Sequence, residues 1–178
     1  MTIVITRPDF FDGEAERITE LLHSGRADLV HIRKPQASRE EMMRLLIALP
    51  GDIYDRLVLH DHHQLAVVCH LHGVHLNSRN PQPPAGWTGT VSISCHSFQE
   101  LAECRRKPYD YMCLSPIFDS ISKEGYRSAF TREQIAEARA KGIIDERVMA
   151  LGGVTFDRVE EVMEMGFGGA MILGDAWR

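Results

Sequence analysis

Charged side chains follow several short apolar runs in this chain, and their types suit a phosphorylated substrate. Arg33 and Lys34 stand at the end of the run 28–34, and Lys123 follows a later run. Asp61 also closes an apolar run. Arginine and lysine bind phosphate oxygens, and magnesium is often held by one or two carboxylates together with substrate phosphates. These residues predict a site for a polyanion such as a diphosphate, with Asp61 as the best single metal ligand.

Histidines accumulate near the same positions. The run His-Asp-His-His at 60–63 is a candidate zinc site. Zinc requires three well-placed ligands, however, and His62 and His63 are more typical of the start of a loop. A zinc hydrolase stays an alternative. His75 and His96 are either hydrogen-bonded core residues or members of the site, and His31 and His96 are the candidate acid–base groups near neutral pH.

Glycines mark a second candidate site. Gly152 and Gly153 follow an apolar run and precede a helical pattern, and Gly174 ends the next apolar run. Backbone without Cβ atoms can approach an anion closely, and a following helix adds positive potential. The pattern predicts a phosphate site of the kind found after the seventh and eighth strands of a (β/α)8 barrel.

The elements that must position these residues alternate regularly. Near-continuous apolar runs predict strands, and patterns with helical spacing lie between them, so we expect a parallel sheet covered on both faces. The predicted strands are 2–6, 28–34, 56–61, 73–77, 91–95, 110–117, 147–153 and 169–174, and the predicted helices are 14–23, 38–49, 64–71, 98–106, 131–141 and 155–165. Eight such units predict a compact (β/α)8 TIM barrel. A doubly wound open sheet is the competitor, but it lacks its usual glycine-rich first turn.

Two helices of a full barrel are not predicted. Residues 80–89 hold three prolines and two glycines, which predicts a loop where the fourth helix belongs. No helical pattern follows 169–174, so the eighth helix is expected to be missing. Uncovered apolar barrel surface predicts lower stability or a covering partner, such as a second copy in a homodimer. Residues 119–130 predict a polar loop.

Composition restricts the class of protein. The chain has 178 residues and a net charge of −5, which predicts one domain over 1–178 and no nucleic-acid binding. No apolar run is long enough to cross a membrane, and no secretion signal opens the chain. The four cysteines form no CxxC pair, so we expect reduced thiols and a cytoplasmic location.

Seven segments of this chain resemble the thiamine phosphate synthase/TenI family of (β/α)8 barrels, in order and in spacing, across nearly the whole length. The segments are HIRKP (31–35), LHDHHQLA (59–66), GVHLN (73–77), SISCHS (92–97), DYMCLSPIFDSISK (110–123), MALGGV (149–154) and GFGGAMILG (166–174). The resemblance implies a thiamine-phosphate diphosphorylase of thiamine biosynthesis. Such an enzyme joins an aminopyrimidine diphosphate to a thiazole phosphate, with Mg²⁺ assistance, and releases pyrophosphate.

The resemblance also implies roles for individual residues. Arg33, Lys123 and Ser94 would be catalytic, and Asp61 would hold magnesium, while the second magnesium carboxylate falls on the neutral Asn80. The residues expected to contact substrates are His31, Lys34, His60, His75, His96, Ser120, Ser122, Gly152, Gly153, Leu173 and Gly174.

Departures from the family pattern keep two other functions open. The start HIR of the second strand is more similar to the thiazole tautomerase branch, in which His31 or His96 would transfer protons. Pro116 is instead typical of the synthase branch. The altered residues 31, 35 and 80 also allow a non-catalytic paralogue that binds a phosphorylated ligand.

Overall fold

Eight parallel strands follow one another in chain order around a closed barrel. The computed structural model describes residues 1–119 and 130–178. The strands are β1 (Thr2–Ile5), β2 (Leu29–Ile32), β3 (Leu57–Leu59), β4 (Gly73–Leu76), β5 (Thr90–Cys95), β6 (Tyr111–Leu114), β7 (Val148–Leu151) and β8 (Gly169–Ile172). The (β/α)8 prediction is confirmed. Except for β5, which begins one residue earlier than predicted, each strand is shorter than its apolar run, because residues at the ends of the run belong to the adjoining loops.

Helices follow most of the strands. Within the described residues they are α1 (Glu14–His23), α2 (Arg39–Ala48), α3 (Gln64–Val68), α4 (Phe98–Cys104), α5 (Arg132–Ala140) and α6 (Val159–Glu164). The described segment between β4 and β5 contains no helix, and β8 is followed only by the 3₁₀ turn Gly174–Trp177. The loop predicted in place of the fourth helix is confirmed. No helix in the described part of the chain combines the length and apolar character needed to span a membrane.

Local sequence signals account for several helix ends. Ser38 and Glu41 form a complete capping box before α2, and Thr131 and Gln134 form another before α5. The predicted helix 64–71 ends early, because His70 adopts a left-handed conformation with φ of 51° and the Leu71 N–H bonds to the Ala66 carbonyl. This closing turn is one in which glycine is usual.

The chain divides into two compact units. One unit comprises Ile3–Val91, and the other comprises Met1–Thr2 together with Ser92–Arg178. In the first unit, the register of β2, β3 and β4 pairs His31 with Val58, and Val58 with Gly73. The single-domain assignment over 1–178 stays a prediction.

Candidate active site

Three buried histidines come together in the unit 3–91. His60 lies two residues beyond Val58 and His75 two beyond Gly73, so the strand register puts both on the same face as His31. His31 Nδ1 lies 2.9 Å from His60 Nε2, and the His60 and His75 rings stack with centroids 4.1 Å apart. His31, His60 and His75 are 0%, 6% and 1% exposed. The three rings therefore form a polar cluster inside the barrel wall.

Burial makes these imidazoles neutral at ordinary pH. Desolvation lowers the pKa of His31 and of His60 well below the usual value, and it lowers the pKa of His75 to about 3. Neighbouring imidazoles, together with Arg33 in the case of His60 and His75, lower these pKa values further. A neutral imidazole donates from one ring nitrogen and accepts at the other. The cluster can therefore hydrogen-bond an uncharged heterocycle without adding charge.

The histidines do not assemble the zinc site that the run 60–63 suggested. His62 Nε2 lies 2.7 Å from the Ala37 carbonyl, and His63 Nε2 lies 3.2 Å from the His75 carbonyl, so both rings bond to backbone. The ring nitrogens of His31, His60 and His75 lie within 4.8 Å of one another. An all-nitrogen set of this kind suits zinc or another transition metal rather than magnesium.

Asp61, the expected magnesium ligand, is already paired. Arg79 donates to Asp61 Oδ1 from Nε at 3.3 Å and from Nη2 at 3.1 Å, and Nη2 also lies 3.4 Å from Oδ2. Asn80 Nδ2 donates to the same Oδ1 at 3.0 Å. The Asp61 side chain is 11% exposed and that of Arg79 is 48% exposed. Arg79 was not singled out in the sequence, although its place beside Asn80 was a usable signal.

A side-chain turn holds Arg79 and Asn80 in place. Asn77 Oδ1 accepts from the backbone N–H of Arg79 at 2.9 Å and from that of Asn80 at 3.1 Å. Asn77 Nδ2 donates to the His60 carbonyl at 2.8 Å. These bonds attach the loop after β4 to His60, which lies directly after β3 and next to Asp61.

This donor set does not fit magnesium. Magnesium prefers several oxygen ligands in octahedral geometry. The described loops after β3 and β4 offer one carboxylate in this contact, with a guanidinium and an amide N–H directed at it. The altered second position recognised at Asn80 is therefore a donor to Asp61 and not a metal ligand in this structure.

Lys34, expected at the substrate, is bonded to other residues of the chain in this structure. Its Nζ donates to the carbonyls of Arg7 and Asp9 at 2.9 Å each and to Glu14 Oε1 at 2.5 Å. These bonds use all three ammonium protons, and the side chain is 0% exposed. Burial lowers the pKa of Lys34 and raises that of Glu14. The apolar run 28–34 carried no sign that its last lysine turns inward to meet α1.

Arg33 stays available for a ligand. Its backbone N–H donates to Thr6 Oγ1 at 2.9 Å, which ties the end of β2 to the end of β1. Its side-chain charge acts on His60 and His75, and the residue is half-buried. A cation thus stands near the histidine cluster, and the role predicted for Arg33 at a diphosphate stays a prediction.

The second unit presents hydroxyl and imidazole groups at the ends of β5 and β6. Ser94 Oγ accepts from the Cys113 thiol at 3.3 Å, and His96 Nδ1 lies 3.2 Å from Ser115 Oγ. His96 is exposed, so it is not one of the core histidines that the sequence allowed. Its backbone N–H donates to Glu100 at 2.7 Å, which orients the residue at the start of α4.

Gly152 and Gly153 form a turn whose backbone conformation other residue types do not readily adopt. Both glycines have positive φ angles, 93° and 64°. The backbone after β6 lies against them: the Phe118 N–H donates to the Gly152 carbonyl at 3.0 Å, and a Cβ on Gly153 would collide with Asp119. Close packing of the backbone after β6 therefore requires glycine at this turn, and the phosphate site predicted after β7 stays a prediction.

The segment after β8 contributes an acidic group as well as the expected glycine. Leu173 and Gly174 lead into the 3₁₀ turn, and Asp175 Oδ2 accepts from the Phe156 N–H at 3.1 Å. Phe156 begins the 3₁₀ turn Phe156–Arg158, so Asp175 caps the segment after the glycine pair. The sequence predicted no role for Asp175. Ser120, Ser122 and Lys123 lie outside the described residues.

Comparisons with known proteins match nearly the whole chain to one family. A family model described as thiamine monophosphate synthase matches residues 2–174. A thiamine-phosphate synthase of Halalkalibacterium halodurans is 27% identical over 171 residues, covering 91% of this chain and 80% of the relative. One of Shouchella clausii is also 27% identical, covering 91% and 81%.

Solved structures show the same likeness. A thiamine phosphate pyrophosphorylase from Bacteroides thetaiotaomicron superposes with a TM-score of 0.88 at 41% identity, covering 99% of this chain and 84% of that one. A pyrophosphorylase from Pyrococcus furiosus, with a TM-score of 0.75 at 21% identity, covers 98% and 89% and supports the fold alone. Sequence, fold and strand-end residues together show that this chain belongs to the thiamine monophosphate synthase (TMP-TENI) family.

Proposed function

We propose that this chain is a thiamine phosphate synthase that joins an aminopyrimidine diphosphate to a thiazole phosphate. The bond between the pyrimidine methylene carbon and the diphosphate oxygen breaks, and its electron pair leaves with pyrophosphate. The thiazole nitrogen then supplies the pair for the new C–N bond, giving thiamine phosphate. The observation that carries the proposal is the Gly152–Gly153 turn after β7 within the span matched by the family. This is the position at which a (β/α)8 barrel holds phosphate.

Fixed positive charge is the main catalytic requirement of such a reaction. Negative charge develops on the leaving diphosphate as the bond breaks, and preorganised cations stabilise it most where it develops. We assign Arg33 and Lys123 to that role, and the half-buried position of Arg33 supports the first assignment. Magnesium, expected from the resemblance, enters no step here because the residues around Asp61 do not fit it.

Neutral groups would position the two rings. The pyrimidine is uncharged, so a buried neutral imidazole can bind it without a desolvated charge. His60 is the most exposed of the three clustered histidines and would contact the pyrimidine ring. His31 and His75 would hold the imidazole of His60 in place. Ser94 and the Gly152–Gly153 turn would orient the thiazole phosphate. No protein nucleophile is needed, because holding the two substrates close together in the reactive orientation accelerates the reaction.

The test is to mix the purified chain with both substrates, with and without Mg²⁺, and to detect thiamine phosphate by fluorescence after oxidation. We expect product from the wild type and a loss of about 10²–10³-fold in kcat for Lys123→Ala, since one transition-state donor is removed. Lys141→Ala is the matched control, because Lys141 is an exposed lysine paired with Glu137 on α5. Absence of product from folded protein would refute the synthase.

One observation favours a second function of the thiazole tautomerase type. The exposed His96 with its Ser115 partner is an accessible acid–base group. An isomerase would convert a carboxythiazole phosphate between tautomers and lose activity in His96→Asn. If neither product forms although the protein binds thiazole phosphate, the chain is a non-catalytic phosphate-binding paralogue.

A further inference from the structure

Arg79 occupies the place beside Asp61 where a divalent cation was expected. We propose that the Arg79 guanidinium is a built-in replacement for that cation, so that this chain binds the diphosphate group of its substrate without a metal ion. The inference rests on the proposed function for the identity of the anion. Its structural basis is the contact among Asp61, Arg79 and Asn80, together with the charges those side chains carry.

The contact is specific in its geometry. Arg79 uses Nε and Nη2, one edge of the planar guanidinium, on the Asp61 carboxylate. Paired donors of this kind fix the orientation of the group as well as its position. The Arg79 side chain remains 48% exposed, so solvent reaches this residue although it is paired with Asp61. A phosphate oxygen arriving from solvent therefore meets a cation that is already oriented.

The surrounding loop keeps this cation in position before any ligand arrives. Asn77 accepts from the backbone N–H groups of Arg79 and Asn80, and it donates to the His60 carbonyl. Asn80 Nδ2 also donates to the His60 carbonyl, at 3.2 Å. A preorganised loop loses less conformational entropy when it binds a ligand than a flexible one.

The same residues disfavour a metal ion. The Asp61 oxygen that receives Arg79 and Asn80 already accepts three donors. A second cation would be repelled by the guanidinium, and Asn80 directs an N–H toward Asp61 where a metal would need an oxygen. Arginine stays charged at all ordinary pH values. Anion binding at Arg79 should therefore need neither a metal nor a protonation step.

Inorganic pyrophosphate is the probe for the first experiment, with binding measured by titration calorimetry in EDTA. We expect the wild type to bind, Arg79→Ala to bind at least about tenfold more weakly, since one charge-assisted contact is lost, and Arg106→Ala to match the wild type. Arg106 is an exposed arginine between α4 and β6 and serves as the control. Wild-type binding that requires Mg²⁺, or no binding in either condition, would overturn the inference, as would wild-type affinity in Arg79→Ala.

A second experiment converts the site. Arg79→Ala combined with Asn80→Asp gives two neighbouring carboxylates and no guanidinium, which is the donor set that magnesium prefers. We expect this double variant to bind pyrophosphate only when Mg²⁺ is added. Equal pyrophosphate binding by the double variant with EDTA and with Mg²⁺ would count against the proposal that Arg79 replaces a metal ion.

The synthase assay on the same samples separates the two proposals. If no sample makes thiamine phosphate, the proposed function fails, and the pyrophosphate titrations still decide the role of Arg79. If the wild type makes thiamine phosphate only with Mg²⁺, the function holds and the inference fails.

Discussion

At the scale of single residues, the crowding around Gly153 is the most demanding feature of the candidate phosphate turn. Its φ of 64° strains any L side chain, and a Cβ there would also lie 2.8 Å from Phe118 Cβ. Gly142 has a nearly identical φ of 66°, but a Cβ on it would meet nothing within 4 Å. The two glycines therefore separate backbone strain from steric conflict.

Gly153→Ala should lower the free energy of unfolding by more than Gly142→Ala. We expect about 1 kcal/mol for Gly142→Ala, from conformation alone, and about 2–4 kcal/mol for Gly153→Ala, where overpacking adds to it. Urea unfolding of both variants measures the difference. Equal losses would mean that the loop after β6 moves aside freely and that the turn is not rigid.

At the scale of elements, the Lys34–Glu14 ion pair joins the end of β2 to α1 and to the loop after β1. Removing one partner of a buried pair leaves an uncompensated charge, so Lys34→Met should cost about 3–5 kcal/mol of stability. Adding Glu14→Leu should restore most of that loss, because the second charge is then removed as well. Thermal unfolding of the single and double variants checks both statements.

Pyrophosphate affinity of the same double variant tests the assignment of Lys34. We expect the wild-type affinity, because every ammonium proton of Lys34 is bonded within the protein. A folded double variant that has lost pyrophosphate binding would return Lys34 to the substrate site, as its position in the sequence suggested.

At the scale of the whole molecule, the buried histidines should make stability depend on pH. His75 has a folded pKa of about 3, against about 6.5 when unfolded. Below pH 6.5 the unfolded chain takes up a proton that the folded chain refuses, so stability is complete above pH 6.5 and falls toward pH 3. One such histidine costs about 2 kcal/mol between pH 6.5 and 5.

Unfolding measured at pH 7.5, 6 and 5 tests this dependence, and His75→Asn provides the comparison. The variant should lose less stability than the wild type over that interval, whatever its stability at pH 7.5. Parallel curves for the two proteins would show that His75 becomes protonated in the folded state without cost.

Much of the fold followed from local patterns. Each apolar run in the described residues became a barrel strand, and all of these strands except β5 are almost fully buried. The capping residues Ser38 and Thr131 placed the starts of α2 and α5. Element ends were less predictable. α3 ends at Val68 because His70 adopts a left-handed conformation, which its residue type does not predict.

The site was predictable only in part. Arg33 and Gly152–Gly153 follow strands, and the barrel topology places strand ends where ligands bind. Lys34 and Asp61 carry the right charges at the right positions, yet both are engaged by partners far away in sequence, Glu14 for one and Arg79 for the other. Residue type and spacing indicate which hydrogen bonds and ion pairs a side chain can form. They do not indicate which of these it forms in the folded protein.

The sequence by itself therefore determined the barrel, the loop in place of the fourth helix and the family, because these depend on periodicity, caps and ordered motifs along the chain. Only the tertiary structure decided how the charged groups pair. Folding brings Asp61 within reach of Arg79, closes Lys34 against Glu14, and turns His31, His60 and His75 toward one another. The physical reason is that charge pairing and desolvation depend on distances in space, which separation along the chain does not report.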